Sequence, residues 1–191
     1  MKKMELGADG WLQGARRIAT PHCDNRPDEN DIALLVVHGI SLPSGVFGGD
    51  EIIKLFCGTL DCDSRPAFAA LKNLRVSAHF LIRRNAELIQ FAPCQMRAWH
   101  AGESRWRGRA RCNDFSLGAE LEGTDDAQYA EAQYAALARL ILALAKKYPP
   151  LAVAGHMHIA PGRKTDPGAA FDWEKLFNLA GKKFDGRAAG I

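Results

Sequence analysis

Two histidines each close a short apolar run and lead at once into a stretch rich in chain breakers: His38 in LVVHGISLP and His156 in AGHMHIAPGRKTDPG. A lone histidine at a strand end is ordinarily a hydrogen-bonded structural residue, but Asp166 in the second stretch completes a set. Two imidazoles and one carboxylate are enough to hold a catalytic zinc, which keeps its fourth tetrahedral position for water or substrate. His156 and His158 by themselves would lack a third ligand, and no local motif such as HExxH is present. Zinc lowers the pKa of a water to about 7 and polarises a carbonyl, so a hydrolase also needs a proton carrier and a group that steadies negative charge. Glu120 and Glu122 are both candidates for the first role, and Lys164, two residues before Asp166, for the second. Arg105, Arg107, Arg109 and Arg111 alternate in SRWRGRARCND. In an extended segment that spacing puts four guanidinium groups on one side, which suits nucleic acid, a small polyanion bound bidentately, or a plain solvated loop.

The elements that must position these groups follow from pattern. Residues 33–38 form an apolar, β-branched run without polar alternation, as in a strand covered on both faces, and 151–155 is a second. Residues 117–122 alternate as a half-buried strand, with Leu117, Ala119 and Leu121 on one face and Gly118, Glu120 and Glu122 on the other. Two strand-like runs, 76–82 and 87–92, are joined by Arg-Arg-Asn-Ala as a hairpin. Asp50 is placed to cap a short helix carrying Ile52, Ile53, Leu55 and Phe56, and Asp172 a later one carrying Trp173, Leu176, Phe177 and Leu179. The clearest helix is expected over 126–148, stopped by Pro149-Pro150. Residues 1–30 read as an extended loop and 181–191 as a frayed tail. Strands and helices mix without strict alternation, so the expected class is α/β, one domain with a central mixed sheet flanked by helices.

Bulk properties bound the function. A chain of 191 residues can bury a core without metal or disulfides, so a metal here is expected to be functional. A net charge of +3 does not by itself call for a nucleic-acid partner. Five cysteines without a CxxC pair read as reduced thiols. The longest apolar stretch, 134–145, is interrupted by Arg139 and too short to cross a bilayer. MKKMELGADGW has the charges of no secretory signal, so a cytoplasmic location is expected.

The segments LVVHGISLPSGVFGG, LRVSAHFLIRR, RAWHAGES, RCNDFSLGAELEGTD and GHMHIAPGRKTDPGAAFDW closely resemble, in order, those of the AmpD-type 1,6-anhydro-N-acetylmuramoyl-L-alanine amidases. That family lies in the zinc amidase superfamily with T7 lysozyme and the peptidoglycan recognition proteins. The resemblance implies a zinc amidase domain over residues 11–180 with a peptidoglycan-recognition/T7-lysozyme-like fold, preceded by a short segment, 1–10. It implies that His38, His156 and Asp166 bind zinc, that Glu120 is the acid/base and that Lys164 stabilises the oxyanion. It associates Arg75, Arg111 and Arg163 with substrate carboxylates, and Trp99 and His100 with the shape of the cleft. The implied reaction is hydrolysis of the amide between 1,6-anhydro-N-acetylmuramic acid and the L-alanine of the stem peptide, on soluble fragments in cytoplasmic recycling. No nucleic acid or membrane is expected as partner, and the chain is taken to act as a monomer. The rival readings are a non-catalytic peptidoglycan-binding module and a general amidase acting on intact wall.

The sequence departs from the family at two informative places. Gly39 stands where Asn usually follows the first zinc histidine, a residue associated with substrate contact, so restoring Asn is expected to sharpen specificity. His158 stands where Asp is usual and is expected to be a loop residue.

Overall fold

Four strands with few polar positions lie side by side and parallel: β4 (Phe80–Ile82), β9 (Ser116–Glu122), β3 (Leu34–Ile40) and β10 (Ala152–Gly155). This computed structural model describes residues 4–181. β5 (Leu88–Gln90) turns back antiparallel on β4, the expected hairpin, and β1 (Arg16–Arg17) joins its free edge in parallel. The sheet is therefore mixed, in the order β1-β5-β4-β9-β3-β10. A two-stranded ribbon of β2 (Cys23–Asn25) with β6 (Met96–Ala98) and a tight hairpin of β7 (Arg105–Trp106) with β8 (Arg109–Ala110) stand beside it.

The register places alternate residues on two faces. Leu35, Val37, Leu117, Ala119, Leu121, Phe80, Ile82 and Val153 point into the larger core, beneath α2 (Glu131–Lys147) and α4 (Trp173–Ala180). His38 and Glu120 are direct partners across β3 and β9, so both side chains project from the opposite face. Beneath that face two smaller cores form, one around α1 (Glu51–Phe56) with Phe68 and Phe91, the other around Val36, Ala154 and Phe115.

Several elements differ from the sequence expectation. β9 is buried along its whole length, not on one face only, because loops cover the face that carries its two carboxylates. α2 begins at Glu131 instead of 126: residue 130 is extended, and Gln133 accepts the Ala130 N–H at 3.0 Å. The strand expected from 76 forms only from Phe80, although the His79 N–H still donates to the Gly118 carbonyl. Asp172 caps α4 by accepting the Lys175 N–H at 2.8 Å. Asp50 makes no such bond at α1, its carboxylate pairing instead with Arg83. Leu179 on α4 is exposed, and residues 1–30 contain two short strands. All five cysteines are free thiols. Of the tail 181–191, all but Gly181 lies outside the described residues.

Candidate active site

At the C-terminal ends of β3 and β10 three ligand atoms converge. His38 Nδ1, His156 Nδ1 and Asp166 Oδ2 form a nearly equilateral triangle with sides of 3.0, 3.1 and 3.1 Å. Ligands of a tetrahedral zinc with bonds of about 2.0–2.1 Å lie about 3.3 Å apart, so these atoms are spaced to share one cation. Among the described residues this is the group of histidine, cysteine and carboxylate side chains that could hold a metal. Burial lowers the His38 pKa to about 4 against the opposing hydrogen bond to Asp166, which keeps the imidazole neutral, the form a metal takes up. Burial raises the Asp166 carboxyl, but hydrogen bonds from His156 and His38 outweigh it and hold the group ionised.

The far side of each imidazole is fixed as well. His156 Nε2 lies 3.1 Å from the Ala101 carbonyl, to which it donates when Nδ1 is the ligand. His38 Nε2 lies 3.0 Å from His100 Nδ1, and His100 Nε2 lies 3.4 Å from Ser116 Oγ, which donates to the Cys112 carbonyl. One consistent set of protons runs along this chain, each ring donating outward from the metal side. Asn113 Oδ1 accepts both the His100 and Ala101 N–H groups, so one amide side chain positions the supports of both ligands.

Glu120 and Glu122 share a face, as alternation requires, but not an environment. Glu122 is buried with both oxygens used: Oε1 accepts the Gly48 N–H at 2.6 Å and Oε2 the Arg84 N–H at 3.1 Å. Glu120 is only 8% exposed and its Oε2 has no hydrogen-bond partner among the described residues. Burial and the charge of Asp166 push its carboxyl well above the usual range, with Lys164 pulling the other way. A buried carboxylate with a free oxygen beside a metal triad can accept a proton and return it, which a saturated one cannot.

A model of the N-acetylmuramoyl-L-alanine amidase family matches residues 28–169. The chain belongs to the N-acetylmuramoyl-L-alanine amidase family. It is 56% identical over 176 residues to the 1,6-anhydro-N-acetylmuramyl-L-alanine amidase AmpD of Escherichia coli K12, covering 91% of this chain and 96% of that one. A crystal structure of selenomethionine AmpD superposes with a TM-score of 0.89 at 52% identity, covering 94% of this chain and 99% of that one. The E. coli amidase AmiD in complex with its substrate anhydro-N-acetylmuramic acid-L-Ala-D-γ-Glu-L-Lys gives 0.58 at 28% identity, covering 94% and 66%. The amidase fold expected from the sequence is therefore the one present, and its donor set is of the kind that holds catalytic zinc.

In this amidase the remaining expected residues spread outward. Lys164 is exposed on the loop before Asp166, near enough for its charge to act on both Glu120 and His38. Arg163 donates to the Ala101 carbonyl at 2.7 Å, the same oxygen that faces His156. Arg75 is exposed and lines a recess of about 690 Å³ with Trp99, His22 and Lys72. Trp99 stacks on His22 and donates from Nε1 to Asp24. Arg111 is exposed and paired with Asp114 at 3.0 Å. The arginine stripe does not form. The chain turns at Arg107 and Gly108, both at positive φ, and the groups are used locally: Arg109 pairs with Asp31, and Arg107 lies over Trp106.

The two departures from the family also find their surroundings. His158 is not in a loop: it lies in the one-turn helix α3 (His156–Ile159), where its Nδ1 accepts the Gly155 N–H at 2.8 Å, a bond that an aspartate could equally accept. At Gly39 a Cβ would point away from His38 and lie 2.3 Å from the Tyr129 hydroxyl. Asparagine there would meet that phenol and the Pro167 backbone instead of reaching the cleft, so Gly39→Asn is not the restoring change the sequence suggested.

Two supports escaped the sequence reading. Arg26 is buried and donates to the carbonyls of Cys94, Asn113, Asp114 and Ser116, holding the start of β9 and the Asn113 turn. Burial and the Arg26 charge lower the His79 pKa to about 3, and its Nδ1 accepts the Gly118 N–H. Neither carries a sequence signal, because their partners are backbone groups distant along the chain.

Proposed function

We propose that this chain hydrolyses the amide joining the lactyl group of 1,6-anhydro-N-acetylmuramic acid to the L-alanine of a stem peptide, on soluble fragments recycled in the cytoplasm. The unit that does so spans residues 11–180 and works as a monomer without nucleic acid or membrane. The observation that carries this reading is the unpartnered oxygen of Glu120, in register with His38 and beside the His38–His156–Asp166 triad. A zinc held by those three residues would supply the Lewis acid that polarises the lactyl carbonyl and makes a water acidic enough to attack at neutral pH.

The protein's own groups do the rest. Glu120 takes the proton of the attacking water on its free oxygen and delivers it to the amide nitrogen, so that alanine leaves as a neutral amine. Lys164 donates to the oxygen on which negative charge collects. Arg75, Arg111 and Arg163 suit the carboxylates of a short stem peptide, and Trp99 gives the cleft an aromatic wall beside Arg75. His100 serves this reading as the support behind His38. A binding module without catalysis has no use for a buried acid with an unpartnered oxygen beside a complete ligand set, which weighs against that rival.

Mass spectrometry of products from purified, zinc-loaded protein and anhydro-muropeptides tests the assignment: free peptide and intact anhydro-sugar are expected. kcat/KM should be much higher on these fragments than on intact sacculi or on fragments ending in ordinary muramic acid. Equal rates on all three would favour the general wall amidase.

A further inference from the structure

Tyr129 is buried just before α2, in the larger core on the α2 side of the sheet. Its ring lies in a slot between Gly39 of β3 and Gly123, which directly follows the neighbouring β9. A Cβ at Gly123 would sit 2.3 Å from ring atom Cε1, and one at Gly39 would sit 2.3 Å from the hydroxyl. Neither glycine has a positive φ, so neither is needed for backbone conformation. What both contribute is room. Inside the slot the phenol donates to the Pro167 carbonyl at 2.9 Å, and Phe171 packs edge-on against the ring at 5.4 Å. Pro167 follows the ligand Asp166 directly. The Asp166 carbonyl is itself held by the Met157 N–H at 2.9 Å, so two successive carbonyls, at the ligand and just after it, are held, the first by a main-chain group and the second by Tyr129.

We propose that Tyr129 is a positioning residue for the third metal ligand, and that in this chain Gly39 and Gly123 form the slot that lets its hydroxyl reach the Asp166 loop. The inference rests on His38, His156 and Asp166 being the metal site. Groups that hold a ligand in place from behind typically change metal affinity by 10–100-fold.

The test is zinc affinity by chelator competition, with the visible spectrum of the cobalt-substituted protein as a report on ligand geometry. Tyr129→Phe keeps the ring and loses the donor; it should bind zinc about 10-fold more weakly, with a changed cobalt spectrum. Its metal-free form should melt within a few degrees of the parent. Gly39→Ala should reproduce this loss in the parent but add little to Tyr129→Phe, because without the hydroxyl the nearest ring carbon is 3.6 Å from the new Cβ. Tyr134→Phe is the control, since that hydroxyl accepts the Asp172 N–H at 2.8 Å, away from the ligand loop, and its loss should leave zinc affinity unchanged. Unaltered affinity and spectrum in Tyr129→Phe, an equal loss in Tyr134→Phe, or full additivity of Gly39→Ala with Tyr129→Phe would each overturn the proposal. Failure of the parent to bind zinc at all would instead overturn the metal site on which it rests.

Discussion

The two faces of the central sheet obey different rules. Toward α2 and α4, the strands β3, β9 and β10 present only apolar side chains, and each is held by the surface it removes from water, about 1.5–3 kcal/mol for a leucine or valine. On the reverse face the same strands carry His38, Ser116, Glu120 and Glu122, all buried. Burial there gains little, and each polar atom left without a partner costs about 1–3 kcal/mol. Ser116 and Glu122 are fully paired and the histidines face one another or their supports; Glu120 Oε2 is the exception. One face therefore stabilises the fold, and the other holds a reactive arrangement that the first face makes possible.

The largest break in this contrast comes from the ligands. His38→Ala should abolish turnover and remove the roughly one zinc per chain found by metal analysis of the parent. It should also remove the stabilisation that zinc confers, about 4 kcal/mol when free zinc stands a thousandfold above its Kd. A variant that kept full zinc and activity would refute the site. Glu120→Gln should keep zinc and lose about 10²–10⁴-fold in turnover, since an amide cannot accept the proton. Its pH behaviour sharpens the comparison. In the metal-free protein the raised pKa means that the folded state holds this proton more tightly than the unfolded chain. The resulting stability is fully present below the unfolded value of about 4.3 and is lost as pH rises through the folded value. Glu120→Gln does not titrate, so it should gain on the metal-free parent as pH rises through that window. A gap that stays flat in denaturant melts would contradict the burial of a free acid.

How far the sequence revealed the site follows from where each residue's partners lie. The grouping of His38, His156 and Asp166 was legible because both histidines close apolar runs that meet chain breakers and Asp166 lies in the second breaker-rich stretch, a local pattern. The choice between Glu120 and Glu122 was not, since alternation puts both on one face. What separates them is a pair of backbone N–H groups, from Gly48 and Arg84, brought in by loops far away in the chain. The arginine stripe failed because it assumed an extended segment, whereas Gly108 permits a turn that reverses it. The start of α2 was misplaced because the residues before it are committed to tertiary contacts, with Tyr129 anchored at Pro167. The mixed sheet, its hairpin and the cap at Asp172 were readable because they depend on periodicity and turn chemistry within a few residues.

On the apolar face the expectation reverses. Leu121→Ala removes a fully buried side chain between Glu120 and Glu122, and should cost about 2–5 kcal/mol of stability in denaturant melts. The fraction that remains folded should keep its zinc and most of its kcat, because Leu121 points away from the triad. A loss of kcat as large as that of Glu120→Gln, at matched folded fraction, would show that the two faces are not separable.

The smallest effect tests whether the reverse face is uniform. Glu122 lies two residues from Glu120, on the same side of the same strand, and a reading by position alone would expect similar consequences. Its carboxylate instead joins the loop after β3 to the β4–β5 turn through two N–H groups. Glutamine can accept only one of them, and its NH2 would then confront the other donor. Glu122→Gln should therefore cost about 1–3 kcal/mol in stability. The metal triad does not touch Glu122, so zinc content should be unchanged. Turnover should fall far less than in Glu120→Gln, because no proton in the reaction passes through a carboxylate already occupied by two backbone donors. Assays of the two variants side by side decide it: if Glu122→Gln proved the more damaging to kcat, the acid/base role would belong to the paired carboxylate, and the free oxygen of Glu120 would lose its meaning.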